Sequence, residues 1–146
     1  MEVYSIGFTQ STASDFFGRL RGEGIKRLLD VRLNNVSQLA GFAKRDDLCF
    51  FLREICGAEY VHEELLAPNQ SILDAYKKQK GSWQEYERVF LSLMSYRKVE
   101  EKLDRALFEK MPTVLLCSEH TAEQCHRRLV LEYLQDKWGD VDIVHL

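Results

Sequence analysis

Short apolar runs that alternate with amphipathic stretches constrain the fold of this chain more than any other feature of its sequence. Five runs have the length and composition of strands: residues 2–6, 26–31, 60–62, 113–117 and 141–144. Parallel strands need a long crossover connection, usually a helix, so this alternation favours a parallel sheet. We therefore predict a three-layer α/β fold, with a mostly parallel sheet flanked by helices.

Helices are predicted between the strands from the spacing of apolar residues and from capping signals. The predicted ranges are about 13–22 (capped by Thr12 or Ser14), 46–56 (capped by Asp46 or Asp47), 72–110 with a break near Gly81, and 122–138. Cys49 and Cys56 lie seven residues apart on the second of these helices and are expected to be core residues. The range 72–110 carries no catalytic pattern, and we interpret it as packing.

Length and charge restrict the class of protein to which the chain can belong. Its 146 residues fit a single domain, 1–146, that is large enough to bury a full core. The 23 acidic residues outnumber the 20 lysines and arginines, which gives a formal net charge of −3. This charge gives no electrostatic support for nucleic-acid binding, which would need a local basic patch.

The N-terminal segment and the apolar runs favour a cytoplasmic protein with no membrane partner. The first ten residues lack the basic and apolar regions of a signal peptide. The apolar runs are far shorter than the roughly 20 residues that a membrane span needs. The four cysteines at positions 49, 56, 117 and 125 are therefore expected to be reduced thiols, metal ligands or a redox pair, and not a disulfide framework.

Polar and reactive side chains follow the predicted strands at their carboxyl ends. Ligands of open parallel sheets bind beyond these ends, so the residues there are candidates for one pocket. They are Thr9 after the first strand, Asp30 and Arg32 at the end of the second, His62 at the third, and Cys117 and Glu119 at the fourth. We expect a small anionic or nucleotide-like ligand there, and interpret Phe42, Tyr60 and Trp83 as core or pocket wall.

The segment 117–127 is the most informative part of the chain. Residues 121–124 fit a capping box, which predicts that the last helix begins at Ala122. Cys117 then faces a helix N-terminus, where free N–H groups and the helix dipole lower the pKa of a thiol. Residues 125–127 lie in the first turns of that helix, and helical side chains lean toward the N-terminus, so at least one should reach the loop.

Two hypotheses explain these side chains without a metal. In the first, Cys117 or Cys125 is a nucleophile, a histidine at position 62, 120 or 126 is its base, and Arg32 or Arg127 holds an anionic substrate. In the second, the same arginines and the N–H groups of the helix bind a phosphate or a nucleotide with no covalent step. A cysteine at the end of a buried strand is also a common core residue, and Asp30 could simply pair with Arg32.

A metal site is the third hypothesis. Its ligands would be Cys117, Cys125 and a histidine. The eight-residue step between the cysteines matches no common zinc motif, and a fourth ligand is missing.

Several motifs of the chain form a recurring pattern. They are Ser5–Thr9, Leu29–Arg32 with Ser37, Gly41–Phe42 with Lys44, Tyr60–His62, Cys117–Glu119 and Cys125–Arg127. With this pattern almost the whole chain resembles the family called domain of unknown function 488. The resemblance implies an α/β fold and a polar pocket but no established reaction. The chain departs from the family pattern at Asn35, where a proline is usual, and at Leu65–Ala67, where Leu-Gly-Gly is usual.

A more distant resemblance is to rhodanese-type sulfurtransferases, through Asp30–Val31–Arg32 and a cysteine after a later strand. The loop after Cys117 has no glycine, and no arginine stands five residues after it, so the sulfurtransferase loop pattern is not met. We treat this as an analogy of fold only.

Our preferred hypothesis is thiol-dependent transfer or hydrolysis, with Cys117 as nucleophile, His126 as base and Glu119 orienting the histidine. The predicted catalytic residues are Cys117, His126, Glu119 and Asp30, and the predicted substrate-binding residues are Thr9, Arg32, Ser37, His62 and Arg127. We assign no metal ligands and identify no cofactor. The alternative is a non-covalent phosphate-binding or nucleotide-binding module, or an accessory protein of nucleic-acid metabolism.

Overall fold

Five parallel strands form the sheet in the computed structural model, which describes residues 1–36 and 41–146. They are β1 (Glu2–Gly7), β2 (Arg27–Asp30), β3 (Glu59–His62), β4 (Thr113–Cys117) and β5 (Asp142–His145). Their order in the sheet is β3-β2-β4-β1-β5, and each of the four pairings is parallel. The predicted parallel sheet is therefore confirmed.

Seven α-helices connect the strands within the described residues. They are α1 (Ala13–Gly22), α2 (Arg45–Phe51), α3 (Gln70–Lys77), α4 (Trp83–Arg97), α5 (Val99–Lys102), α6 (Arg105–Lys110) and α7 (His126–Trp138). Thr12 caps α1, because its side chain accepts a hydrogen bond from the backbone N–H of Asp15. None of the described helices combines the length and apolar character that crossing a bilayer requires.

The helix α2 differs from the prediction at its start and on its outer face. Its N-cap is Lys44, while Asp46 and Asp47 lie in the first turn. There their negative charges interact favourably with the positive end of the helix dipole. The helix continues as a π-helical turn to Cys56. Cys56 is buried as predicted, but Cys49 is exposed, so the prediction that both are core residues is wrong for Cys49.

The range 72–110, predicted as one helix with a break near Gly81, is divided into four helices. Ser82 and Asp104 each accept a backbone N–H at the start of a new helix, α4 and α6. Between them Lys98 adopts a left-handed conformation, with φ of 53°, which ends α4 and allows the chain to turn into α5.

The two faces of the sheet pack against different helices, because successive residues of a strand point to opposite faces. Leu28, Val114 and Leu116 pack with the apolar side chains of α1 and α2. Leu115 and Cys117 pack on the other face, with side chains of α4 and α7. These two cores confirm the three-layer α/β architecture.

The connections that follow the neighbouring strands β1 and β4 diverge to opposite faces of the sheet. The chain leaves β1 toward α1 on one face of the sheet and leaves β4 toward α7 on the other. Neighbouring parallel strands whose connections diverge in this way leave an opening beyond their carboxyl ends, where ligands of such folds bind.

Candidate functional site

A cavity of about 220 Å³ lies beyond the carboxyl ends of the strands. Phe8 after β1, Arg32 after β2 and Cys117 at the end of β4 line it on the sheet side. Tyr76 of α3 and Trp83 of α4 line it on the side of the helices. The cavity therefore joins residues from both ends of the chain.

The loop between β4 and α7 is longer than predicted, since α7 begins at His126 and not at Ala122. Cys125 is the N-cap residue and is extended, with φ of −137°. The capping box does not form because the loop is bonded elsewhere. Thr9 donates its hydroxyl to the backbone carbonyl of Ser118 at 2.8 Å, and His120 Nδ1 contacts the carbonyl of Thr9 at 3.1 Å.

Gly7 allows this loop to cross directly over the end of β1. A Cβ atom at position 7 would lie 1.5 Å from the carbonyl oxygen of Glu119 and 3.0 Å from Arg127 Nη1. Such distances exclude any side chain there unless the loop moves. The glycine is therefore required by the close approach of two backbone segments.

Three reactive side chains meet at the floor of the cavity. Cys117 Sγ lies 3.5 Å from Nδ1 of His126, and the sulfur of Cys125 belongs to the same cluster, whose ligand atoms all lie within 4.8 Å of one another. The other ring nitrogen of His126, Nε2, lies 2.6 Å from the carbonyl oxygen of Val31. A carbonyl can only accept, so Nε2 carries the proton and the lone pair of Nδ1 faces Cys117.

The surroundings of Cys117 lower the pKa of its thiol, and they favour the neutral forms of the two neighbouring side chains. The hydrogen bond from Cys125, the backbone N–H groups of Ser118 and Glu119 and the charge of Arg127 hold the pKa of Cys117 below its usual value, against the opposing effect of burial. The hydrogen bond to Cys117, followed by burial, raises the pKa of Cys125. Burial lowers the pKa of His126.

The same three side chains could hold a metal ion. The ligand atoms of Cys117, Cys125 and His126 all lie within 4.8 Å of one another and are buried. The eight-residue spacing thus does not keep the cysteines apart, because the loop between them folds back. Two thiolates and one imidazole with a cavity beside them match the open coordination of a catalytic zinc site better than a closed structural one.

Arg32 is the best-prepared anion ligand of the cavity. It is 5% exposed, and its Nε and Nη2 donate to both carboxylate oxygens of Asp30 at 2.8 and 2.7 Å. Nη2 also donates to the carbonyl of Ala43, while Nη1 has no hydrogen-bond partner among the described residues. A buried donor without a partner is costly, so Nη1 is the group of Arg32 that a hydrogen-bond acceptor would stabilise most.

Arg127, which was also predicted to hold an anion, lies away from the lining of the cavity. It is 1% exposed. Its guanidinium donates to the hydroxyl of Ser5 at 3.1 Å and to the carbonyls of Glu119 and His120 at 2.6 and 3.5 Å. Because its donors are used within the protein, Arg127 fixes the loop in place.

Two predicted catalytic carboxylates also have structural partners. Val31, and not Glu119 as predicted, orients His126, while the carboxylate of Glu119 lies 3.5 Å from Lys77 Nζ. Asp30 is fully buried and accepts from Arg32 and from the hydroxyl of Tyr60 at 2.6 Å. Asp30 does not line the cavity. Its carboxylate positions Arg32.

Comparison with known protein families gives one match. The family model described as "Domain of unknown function DUF488" matches residues 12–134, which is most of the chain. The chain belongs to this family. No curated protein and no solved structure matched the chain.

Thr9 and His62, which were also predicted to bind the substrate, do not line the cavity. Thr9 bonds to the loop after β4, as described above, and His62 Nε2 contacts the carbonyl oxygen of Arg32 at 2.8 Å. Both therefore support groups that do line the cavity. Ser37 lies outside the described residues.

The cavity wall on the helix side was missed by the sequence analysis of this DUF488 protein, except for Trp83. Tyr76, Lys77 and Tyr86 line the cavity and come from the range that was interpreted as packing. The density of aromatic residues from 76 to 86 is the signal that could have identified this wall.

Proposed function

We propose that this DUF488 protein is a thiol-dependent enzyme that transfers or hydrolyses a group of a small anionic substrate. In this proposal Cys117 is the nucleophile and Arg32 binds the anion. The observation that carries it is that a sulfur supplied with hydrogen-bond donors and a buried arginine with a free N–H group line one cavity. Nucleophilic cysteines are activated in such surroundings.

The proposed reaction has two steps. First, the Cys117 thiolate forms a bond to an electrophilic carbon or phosphorus of the substrate, and the leaving group departs with its electron pair and takes a proton from solvent. In the second step, water or another acceptor attacks that centre, transfers a proton to Nδ1 of His126 and releases the thiolate. His126 suits the role of base because burial keeps it neutral and its lone pair faces the sulfur.

Alkylation of the native protein with iodoacetamide at mildly acidic pH, with each cysteine measured on its own peptide, tests the nucleophile. We expect Cys117 to react faster than Cys49, which is exposed and serves as an internal standard. Cys56, which is buried and whose pKa burial raises, should react slowest. If Cys117 is as inert as Cys56, Cys117 is not an activated thiolate.

A metal site is a second candidate function, because three ligand atoms lie within 4.8 Å of one another. A bound metal would mask Cys117 and Cys125 from alkylation until a chelator removes it. Titration of the chelated protein with Co²⁺ would then give thiolate-to-cobalt charge-transfer absorption, which Cys125→Ser should weaken and Cys49→Ser should not change. Absence of this absorption contradicts the metal site.

Alkylation and cobalt titration together also test the alternative of a non-covalent binding site. If Cys117 and Cys125 are inert both before and after chelation, and no cobalt absorption appears, the cavity acts as an anion-binding site without covalent chemistry.

A further inference from the structure

The charged groups around the cavity nearly cancel. Arg32 is paired with Asp30, and Lys77 is paired with Glu119. Arg127 donates to Ser5, Glu119 and His120 and does not line the cavity. A nearly neutral site with one free arginine nitrogen favours a ligand with one negative charge over a phosphate, which carries close to two.

The size of the cavity restricts the ligand further. A dry apolar cavity of about 150 Å³ holds benzene, whereas pockets for drug-sized ligands begin at about 300 Å³. With about 220 Å³, this cavity has room for a single ring with a small polar group. A complete nucleotide exceeds this volume.

The helix side of the cavity is a cluster of aromatic rings. The Trp83 and Tyr86 rings are stacked, with centroids 5.1 Å apart and an interplanar angle of 18°. Tyr76 lies 5.7 Å from Trp83 and 5.0 Å from Tyr86. On the sheet side, Phe8 lies 5.1 Å below the Arg32 guanidinium. Such rings favour a planar aromatic ligand over an aliphatic ligand of equal size.

We propose that the cavity binds an aromatic monocarboxylate, with the ring against Trp83 and Tyr76 and the carboxylate on Nη1 of Arg32. The proposal rests on the proposed function, because it names the substrate class of the same site. It follows from three independent observations: the free Nη1, the aromatic wall and the volume.

Calorimetric titration with five small probes tests the ligand class. Benzoate has the ring and the charge, cyclohexanecarboxylate lacks planarity, acetate lacks the ring, benzyl alcohol lacks the charge, and phenyl phosphate carries nearly twice the charge. We expect benzoate to bind about three- to tenfold more tightly than cyclohexanecarboxylate, which is the preference of an aromatic wall for a planar ring. The other three probes should bind more weakly still.

Each probe also gives a result that overturns one part of the proposal. Equal affinity for cyclohexanecarboxylate contradicts the contact with the aromatic rings. Equal affinity for benzyl alcohol contradicts the role of Arg32. Tighter binding of phenyl phosphate contradicts the single charge, and absence of benzoate binding contradicts the proposal as a whole.

Substitutions of cavity residues test whether benzoate binds in this cavity. Arg32→Lys keeps a positive charge beside Asp30 but loses the forked donor, so benzoate should bind about tenfold more weakly or worse. Trp83→Leu should remove the preference for benzoate over cyclohexanecarboxylate. This variant leaves the buried ion pair of Arg32 and Asp30 intact. Trp138→Phe is the matched control, because Trp138 packs on Phe108 away from the cavity. Benzoate should still change the fluorescence of the Trp138→Phe protein, in which Trp83 is the remaining tryptophan.

Cys117→Ser separates this proposal from the proposed function. We expect this variant to bind benzoate within about twofold of the wild-type affinity, since the sulfur takes no part in holding the carboxylate or the ring. If alkylation shows an inert Cys117 but benzoate binds as expected, the ligand class holds and the thiol chemistry fails. If Cys117 is activated but no probe binds, the ligand class fails and the thiol chemistry holds.

Discussion

Arg32 and Arg127 follow neighbouring strands of the sheet and are both almost completely buried, but they have different partners. Arg32 binds the two oxygens of a carboxylate and keeps Nη1 free. Arg127 donates to one hydroxyl and two backbone carbonyls from separate parts of the chain. The same type of side chain thus keeps one donor unpaired at one strand end and crosslinks the chain at the other.

The difference shows that the acceptors around a buried arginine indicate its role better than its burial does. A carboxylate beneath the guanidinium neutralises its charge and fixes its plane, which prepares the remaining N–H groups for a ligand. When backbone carbonyls accept from the guanidinium N–H groups instead, those donors stabilise the fold and are not free for a ligand. Mutations should therefore affect stability most at Arg127 and ligand binding most at Arg32.

The largest loss of stability is expected for Arg127→Met. This change removes the donors from Ser5 and from the carbonyls of Glu119 and His120, so the free energy of unfolding should fall by about 3–5 kcal/mol in urea denaturation. Arg128→Met is the matched control, because Arg128 is the next residue and pairs with Glu132 at the surface. The control should change stability by less than about 1 kcal/mol, and equal effects at both positions would contradict the crosslink.

The second prediction tests the loop that Arg127 holds. Gly7→Ala places a methyl group against the carbonyl of Glu119, which forces the loop to shift and should lower the free energy of unfolding by about 2–3 kcal/mol. Gly18→Ala on α1 meets no atom within 4 Å and should stabilise the protein by about 0.5–1 kcal/mol. Opposite signs for the two substitutions are the expected result, and a neutral Gly7→Ala would show that the loop is not held against β1.

Arg32→Lys tests the other member of the comparison between Arg127 and Arg32. The lysine can still neutralise Asp30, so we expect a moderate loss of about 1–2 kcal/mol in the free energy of unfolding. Arg45→Lys is the control at an exposed ion pair and should stay within about 0.5 kcal/mol of the wild type. A loss at Arg32→Lys as large as that of Arg127→Met would remove the distinction between the two arginines.

The smallest effect is expected for Tyr60→Phe, which tests how Asp30 is held. The Tyr60 hydroxyl donates to Asp30 and accepts from Asn35, so its removal should cost about 1 kcal/mol in urea denaturation. Tyr96→Phe is the control, since Tyr96 is 86% exposed. A stability equal to that of the control would show that Asp30 does not need Tyr60.

The sequence predicted the sheet and the strand-edge residues because both depend on local patterns. Short apolar runs determine the strands, which are four to six residues long, and parallel pairing then brings Arg32 and Cys117 to one edge. The spacing of Asp30 and Arg32 indicated that they could pair, and they do.

Features that depend on tertiary contacts could not be predicted in the same way. The capping box predicted at residues 121–124 does not form, because other residues hold the loop before it. Thr9, which is distant in sequence, bonds to Ser118, and Arg127 reaches back along the chain to Glu119. The orientation of His126 depends on a backbone carbonyl, to which any residue could contribute. Aromatic periodicity along α3 and α4 cannot distinguish a cavity wall from a core, because both use the same apolar side chains.

The position of β1 in the sheet has a consequence for folding during synthesis. Tyr4 pairs with Val114 and with Val144, so β1 is synthesised long before either of the strands with which it pairs. The edges of β1 stay unpaired until β4 and β5 have been made, while β2 and β3, which are close in sequence, can pair early. The edge on which Cys117 and the Gly7 crossing depend is therefore the last part of this sheet to be completed.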